Sequence, residues 1–284
     1  MKIARIRNGS SESYGVIHGD SLLIREDLAT QLNVKLPDSI DQFLFGNLLD
    51  KIRTAKLTFS GNIDQYKLLS PIPNPPKIIC LGYNYLDHAK ERGTKSPEEP
   101  VIFMKPRTAL IGTDEGITCP KFVTQLDYEG ELAFVIGKEC KSVQPEDAMD
   151  NVFGYMVFND VSARDIQFKE SQWTRSKSFD TFAPSGPWIT TKDEVEDPHN
   201  LRIVTKVNGE VRQDSSTKNM ALKIDRIVAS LSKVMTLEKG DIVATGTPSG
   251  VAAFMTQPRF LNHGDVVEIA IQNLGKIRNN VVFV

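Results

Sequence analysis

A chain of 284 residues, 40% hydrophobic and 25% charged, is long enough for one large domain or one with a small appendage. A net charge of −2 without a long basic run argues against nucleic acid or an anionic membrane as the main partner. No segment approaches the ~18 apolar residues of a membrane span, and the first residues lack the apolar core of a signal peptide. Three cysteines without CxxC spacing point away from a disulfide framework or zinc and toward a reducing, cytoplasmic setting.

Residues 1–70 read as a small N-terminal unit. Lys2–Arg7, Tyr14–His18 and Ser21–Ile24 are predicted strands joined by polar turns. The spacing of Phe43, Leu44, Leu48, Leu49 and Ile52 predicts one helix over Ile40–Ala55. Pro71, Pro73, Pro75 and Pro76 favour extended backbone and mark a boundary, so residues 71–284 are expected to form a second, larger domain. Its predicted strands are Lys77–Leu81, Val101–Met104, Glu131–Ile136, Val152–Asn159, Trp188–Thr190, Arg202–Val207, Asp241–Ala244 and Val266–Ile271. Helices are expected at Tyr85–Arg92, Pro145–Asp150 and Ile224–Val234, and Asn208-Gly209 reads as a hairpin turn. Many strands with few alternating helices argue for a β-rich α+β fold rather than a doubly wound sheet.

The stretch Asp127-Tyr128-Glu129-Gly130-Glu131-Leu132-Ala133-Phe134-Val135-Ile136-Gly137 reads as a strand apolar on both faces. Alternation puts Glu129 and Glu131 on one face, roughly 7 Å apart. Two acids partly out of water need a cation, and oxygen-only ligands suit Mg²⁺, Mn²⁺ or Ca²⁺. The alternative is a solvated strand end. Asp160 ends the apolar strand before it, as a third ligand or as a cap for a helix over Val161–Ile166. Lys177 lies in an aromatic-rich loop, either enclosed beside an anion or snorkelling at the surface. His88 and Glu91 share a helix face, as a base with its carboxylate or as an incidental exposed pair. Thr245-Gly246-Thr247-Pro248-Ser249-Gly250 offers hydroxyls and backbone N–H groups to a carboxylate, or is merely a turn.

Together these segments resemble the fumarylacetoacetate hydrolase family over about residues 71–284. The motifs, in the family's order, are Lys77-Ile78-Ile79-Cys80-Leu81-Gly82-Tyr83-Asn84-Tyr85 with His88 and Glu91, then Phe103-Met104-Lys105-Pro106 and Asp127-Tyr128-Glu129-Gly130-Glu131-Leu132. Asn159-Asp160-Val161-Ser162-Ala163-Arg164-Asp165, Lys177-Ser178-Phe179-Asp180, Gly246-Thr247-Pro248-Ser249-Gly250 and Leu274-Gly275 follow. The resemblance implies a mixed β-roll catalytic domain over 71–284 with a small N-terminal α+β domain, usually in a homodimer. It implies Glu129, Glu131 and Asp160 as ligands of one Mg²⁺ or Mn²⁺ per subunit. Lys177, His88 and Glu91 are its catalytic residues, and Arg164, Gln167 and Thr247 its substrate-binding ones. Ala252-Ala253 after Val251, and Gln272, depart from the family pattern without touching a ligand. The implied substrate is a small 2-oxo acid. The favoured expectation is hydrolysis of a C–C bond in 2,4-dioxo acids, either acylpyruvates or dioxo-deoxy sugar acids, releasing pyruvate through an enolate. Oxaloacetate decarboxylation, 2-oxo acid isomerisation or hydration, and a non-catalytic binding role stand as alternatives.

Overall fold

The computed structural model describes residues 1–91, 93 and 95–284. Among these residues the strands form a mixed sheet of twelve strands, a sheet of five and a two-stranded ladder. At the centre of the large sheet lies Gly130–Ile136, every residue of it buried. It pairs antiparallel with Val152–Asn159 on one side and with Ile242–Ala244 on the other. Ile242–Ala244 runs parallel to Ile78–Gly82, which Val101–Lys105 flanks as an edge strand. The five-stranded sheet orders Glu210–Ser216, Arg202–Val207, Val266–Ile271, Gly275–Phe283 and Ile117–Cys119. The fold is the strand-rich α+β architecture that the pattern predicts.

A strand with two apolar faces must be covered on both. Leu132, Phe134 and Ile136 enter one core with Ile203, Ile269 and the helix Ile224–Val234. Ala133 and Val135 enter the other, with Leu28, Phe43, Leu44 and Ile52 of the N-terminal helices. The N-terminal strands extend the same large sheet, since Lys2 and Ile3 pair with Thr190 and Ile189. The hairpin at Asn208-Gly209 forms with both residues at positive φ, 51° and 81°, the geometry that two-residue turns require.

Several boundaries differ from expectation. The predicted helix Ile40–Ala55 is two helices, Ile40–Leu44 and Leu49–Thr54. Gly46-Asn47 is a poor helical pair, and the apolar spacing runs across the break because Phe43, Leu44, Leu49 and Ile52 all enter one core. Helix Arg25–Leu32 escapes prediction because it buries only Leu28 and Leu32. The strand expected from Asp127 breaks at Tyr128-Glu129. Leu126–Asp127 pairs instead with Ser162–Ala163, because the Asp127 carboxylate accepts the Tyr128 and Ala252 N–H groups, both at 2.9 Å, and turns the chain. The helix after Asp160 is Arg164–Gln167, so Asp160 is not its cap. Of the predicted Tyr85–Arg92 helix, Leu86–Glu91 is formed and Arg92 lies outside the described residues. Trp188–Thr190 is the end of a longer strand, Ala183–Thr191, whose Pro184 and Pro187 mask the strand signal.

Candidate active site

Strand pairing assembles the acids. Gly130 faces Asn159 across the ladder, so Glu129 and Glu131 flank the point where the neighbouring strand ends at Asp160. The Asp160 N–H donates to the Glu129 carbonyl at 2.9 Å, and Asn159 Oδ1 accepts the Glu129 N–H at 3.1 Å. One carboxylate oxygen from each of Glu129, Glu131 and Asp160 lies within 4.8 Å of the others, and all three residues are buried.

Two buried lysines and an arginine face them. Lys177 Nζ donates to Glu129 Oε2 at 2.9 Å and to Asp160 Oδ2 at 2.8 Å, and stands 5.1 Å from the Phe103 ring centroid. Arg164 meets Asp127 Oδ2 at 2.9 Å, Glu129 Oε1 at 2.6 Å and Gln167 Oε1 at 2.8 Å. Nε and one terminal nitrogen thus make hydrogen bonds to Asp127 and Gln167, while the other terminal nitrogen meets Glu129 as a charge contact, so Arg164 orients Gln167 and steadies Glu129. Lys105 contributes a contact to which sequence reasoning gave no role. Its ammonium, fully buried, donates to the carbonyls of Val161, Lys177 and Phe182 at 3.1, 2.6 and 2.9 Å. An ammonium has three N–H bonds, and these carbonyls take all of them. Asp160 Oδ1, 2.7 Å from Lys105 Nζ, thus gains charge contact but no hydrogen bond.

Glu131 Oε2 accepts the Gly246 N–H at 2.8 Å, but Oε1 is buried without a hydrogen-bond partner among the described residues. Among the described residues four buried carboxylates (Asp127, Glu129, Glu131, Asp160) face three buried cations (Lys105, Arg164, Lys177), one positive charge short. The imbalance falls on Glu131. Burial raises its pKa well above the usual carboxylate range, and the Asp160 and Glu129 charges raise it further. For Glu129 burial acts in the same direction, but Lys177 and Arg164 outweigh it and hold the carboxyl at about 2. Lys177 is likewise disfavoured by burial yet pushed up by Asp160 and Glu129. Two orphaned buried oxygens, Glu131 Oε1 and Asp160 Oδ1, in an all-oxygen set short of positive charge fit a hard divalent cation.

His88 is buried on the helix Leu86–Glu91. Its Nδ1 lies 3.0 Å from Glu91 Oε2, while Glu91 Oε1 accepts the Gly250 N–H at 3.0 Å. Among the described residues Nε2 has no hydrogen-bond partner. Asp87 anchors the helix by accepting from the Ser215 hydroxyl at 2.5 Å. His88, Glu129, Arg164, Gln167, Lys177 and Thr247 line one pocket of about 90 Å³, and Glu131, Asp160 and Glu91 adjoin that lining through Glu129, Lys177 and His88. The Thr247 hydroxyl donates to the Gly130 carbonyl at 3.0 Å and accepts from Gln213 Nε2 at 2.8 Å. Gln213, unmarked in the sequence, also accepts the Gly130 N–H at 3.0 Å, so it ties the acid-bearing strand to the Thr-Pro loop.

A sheet end carrying buried acids and lysines under a histidine–glutamate pair defines an enzyme for small molecules. A family model described as "Fumarylacetoacetate (FAA) hydrolase C-terminal" matches residues 77–282. The chain belongs to the fumarylacetoacetate hydrolase family. A Xenopus laevis protein named mitochondrial oxaloacetate tautomerase fahd2 is 47% identical over 81% of this chain and 75% of its own length. One named oxaloacetate tautomerase YisK, from Bacillus subtilis (strain 168), is 45% identical over 79% and 76%. The solved fumarylacetoacetate hydrolase of Exiguobacterium antarcticum superposes with a TM-score of 0.88 at 36% identity, covering 100% of both chains. No described helix is long and apolar enough to cross a membrane.

Proposed function

We propose that this chain acts on a short 2-oxo acid through an enolate, and that its reaction is keto–enol interconversion of oxaloacetate. The observation that carries the reading is the pair of orphaned carboxylate oxygens on Glu131 and Asp160, under a pocket whose other wall holds a carboxylate-backed histidine. Relatives at 45% and 47% identity named oxaloacetate tautomerases support this choice over the hydrolysis that the sequence alone favoured.

Glu129, Glu131 and Asp160 would hold the divalent cation, Mg²⁺ or Mn²⁺. When bound, the cation supplies Lewis-acid polarisation of the 2-oxo group. Glu91 accepts from Nδ1–H of His88, which makes Nε2 the basic nitrogen. His88 takes a proton from C3 of the keto acid, and the C–H electron pair becomes the enolate. The Lys177 ammonium offsets the charge that develops. His88 then delivers the proton to the enolate oxygen, and the reverse sequence regenerates the ketone. Gln167, Thr247 and the Thr-Pro loop backbone orient the acid, with Arg164 holding Gln167 in place. Burial of the floor excludes bulk water, which strengthens each of these interactions.

A second reading is C–C hydrolysis of a 2,4-dioxo acid, an acylpyruvate or dioxo-deoxy sugar acid. The same His88–Glu91 pair could deprotonate a water, and the Exiguobacterium neighbour is named a hydrolase. Decarboxylation of oxaloacetate would pass through the same enolate. We assign residues 1–70 to a small N-terminal domain and 71–284 to the catalytic one, supported by the family match beginning at residue 77. A cytoplasmic homodimer completes the reading, and three buried unpaired thiols support a reducing compartment.

The test follows the ketone formed from enol-oxaloacetate, trapped by malate dehydrogenase, with Mg²⁺, Mn²⁺ or EDTA. Metal-dependent acceleration beyond the metal-only control is expected. No acceleration would refute the tautomerase reading, and pyruvate released from acetylpyruvate instead would install the hydrolase.

A further inference from the structure

Among the described residues, the pocket's acidic and basic side chains lie at its floor. Glu129, Arg164 and Lys177 are buried, whereas the mouth is lined by aromatic rings that remain open to solvent. Phe168 is 58% exposed on the rim and touches the Phe254 ring edge-on, with centroids 6.3 Å apart. Trp173, half-buried, stands edge-to-face with Tyr83 at 4.8 Å and Phe103 at 5.7 Å. Its place is built in. A Cβ at Gly82 would come within 2.2 Å of Trp173 Cζ3, so the indole lies directly against bare backbone at a strand end. A large exposed ring gains contact only when something covers it. Among the described residues lining the mouth no cationic side chain awaits a distal carboxylate.

We propose that Trp173 and Phe168 form a tail subsite that selects 2-oxo acids carrying a flat, apolar group beyond C4. The proposal rests on the 2-oxo acid reading above and names a substrate class beyond oxaloacetate. The acid end would bind at the floor, and the tail would lie between the indole and the Phe168 ring.

The test is calorimetric titration of the Mg²⁺-loaded protein with 2-oxobutanoate and 2-oxo-4-phenylbutanoate, neither of which has the β-carbonyl that cleavage needs. The phenyl compound should bind about tenfold tighter to the wild type. Phe168→Ala, Trp173→Ala and Gly82→Ala should each reduce that ratio to about threefold or less, while 2-oxobutanoate affinity stays within about twofold. A ratio unchanged in all three variants, or equal weakening of both ligands, would overturn the subsite. A wild type that binds neither compound would refute the 2-oxo acid reading itself, and the subsite with it.

Discussion

Replacing Lys105 by Met keeps most of the side-chain volume and removes the ammonium. The structure sets the size of the effect. Lys105 Nζ is 2.7 Å from Asp160 Oδ1 and gives three hydrogen bonds to carbonyls at 2.6–3.1 Å, all inside the protein. Breaking a buried pair by removing one partner costs about 3–5 kcal/mol. Asp160 retains Lys177 at 2.8 Å, so the loss should fall near the lower end, about 3 kcal/mol. At about 2–4 °C per kcal/mol for a chain approaching this size, the midpoint should drop by about 6–12 °C. Thermal and urea unfolding followed by circular dichroism, in EDTA, measure it. Lys276→Met is the control, because its pair with Glu268 at 3.3 Å is exposed and should contribute about 0–1 kcal/mol. A Lys105→Met protein as stable as that control would refute the view that Lys105 organises the site.

Other expectations concern charge and turnover. Glu131→Gln should leave the metal-free protein at pH 7 at least as stable as wild type, since burial and then the Asp160 and Glu129 charges already disfavour the ionised carboxylate that the neutral amide replaces. The same variant should lose the rise in Tm on adding Mn²⁺, and a retained rise would contradict its role as a ligand. Glu129, held at about 2, contributes stability that is full above the ordinary carboxylate pKa and is lost as pH falls through about 2. Glu129→Gln should therefore flatten the acid limb of a metal-free stability profile, and an unchanged limb would refute the assignment. His88→Ala should slow enol–keto conversion by about 10²–10⁴ while keeping the Mn²⁺-induced Tm shift; loss of both together would make His88 structural.

What could be read from the sequence follows from where each partner sits along the chain. The run 132–136 was legible because a strand buried on both faces reads as apolar at successive positions, and Glu129 and Glu131 at its start stand out by parity. His88 and Glu91 were legible because their partnership is local, one helical turn apart. Lys105, Asp127 and Gln213 were not. Lys105 meets its acceptors 56 to 77 residues away, and Gln213 reaches Gly130 across 83. No local pattern marks a polar residue whose partners lie on another strand. Arg164 could be placed near the site by motif, but its contacts with Asp127, Glu129 and Gln167 emerge only from the three-dimensional pairing. The break at Tyr128-Glu129 was hidden for a related reason, because Asp127 turns the chain by accepting an N–H from Ala252, 125 residues on.

The most direct measurement is calorimetric titration of Mn²⁺ into metal-stripped protein, wild type beside Glu131→Gln and Asp160→Asn. One ion per chain in the wild type, with no saturable binding in either variant, is the predicted result. A wild type that binds no ion, or variants that bind as it does, would contradict a cation at Glu129, Glu131 and Asp160.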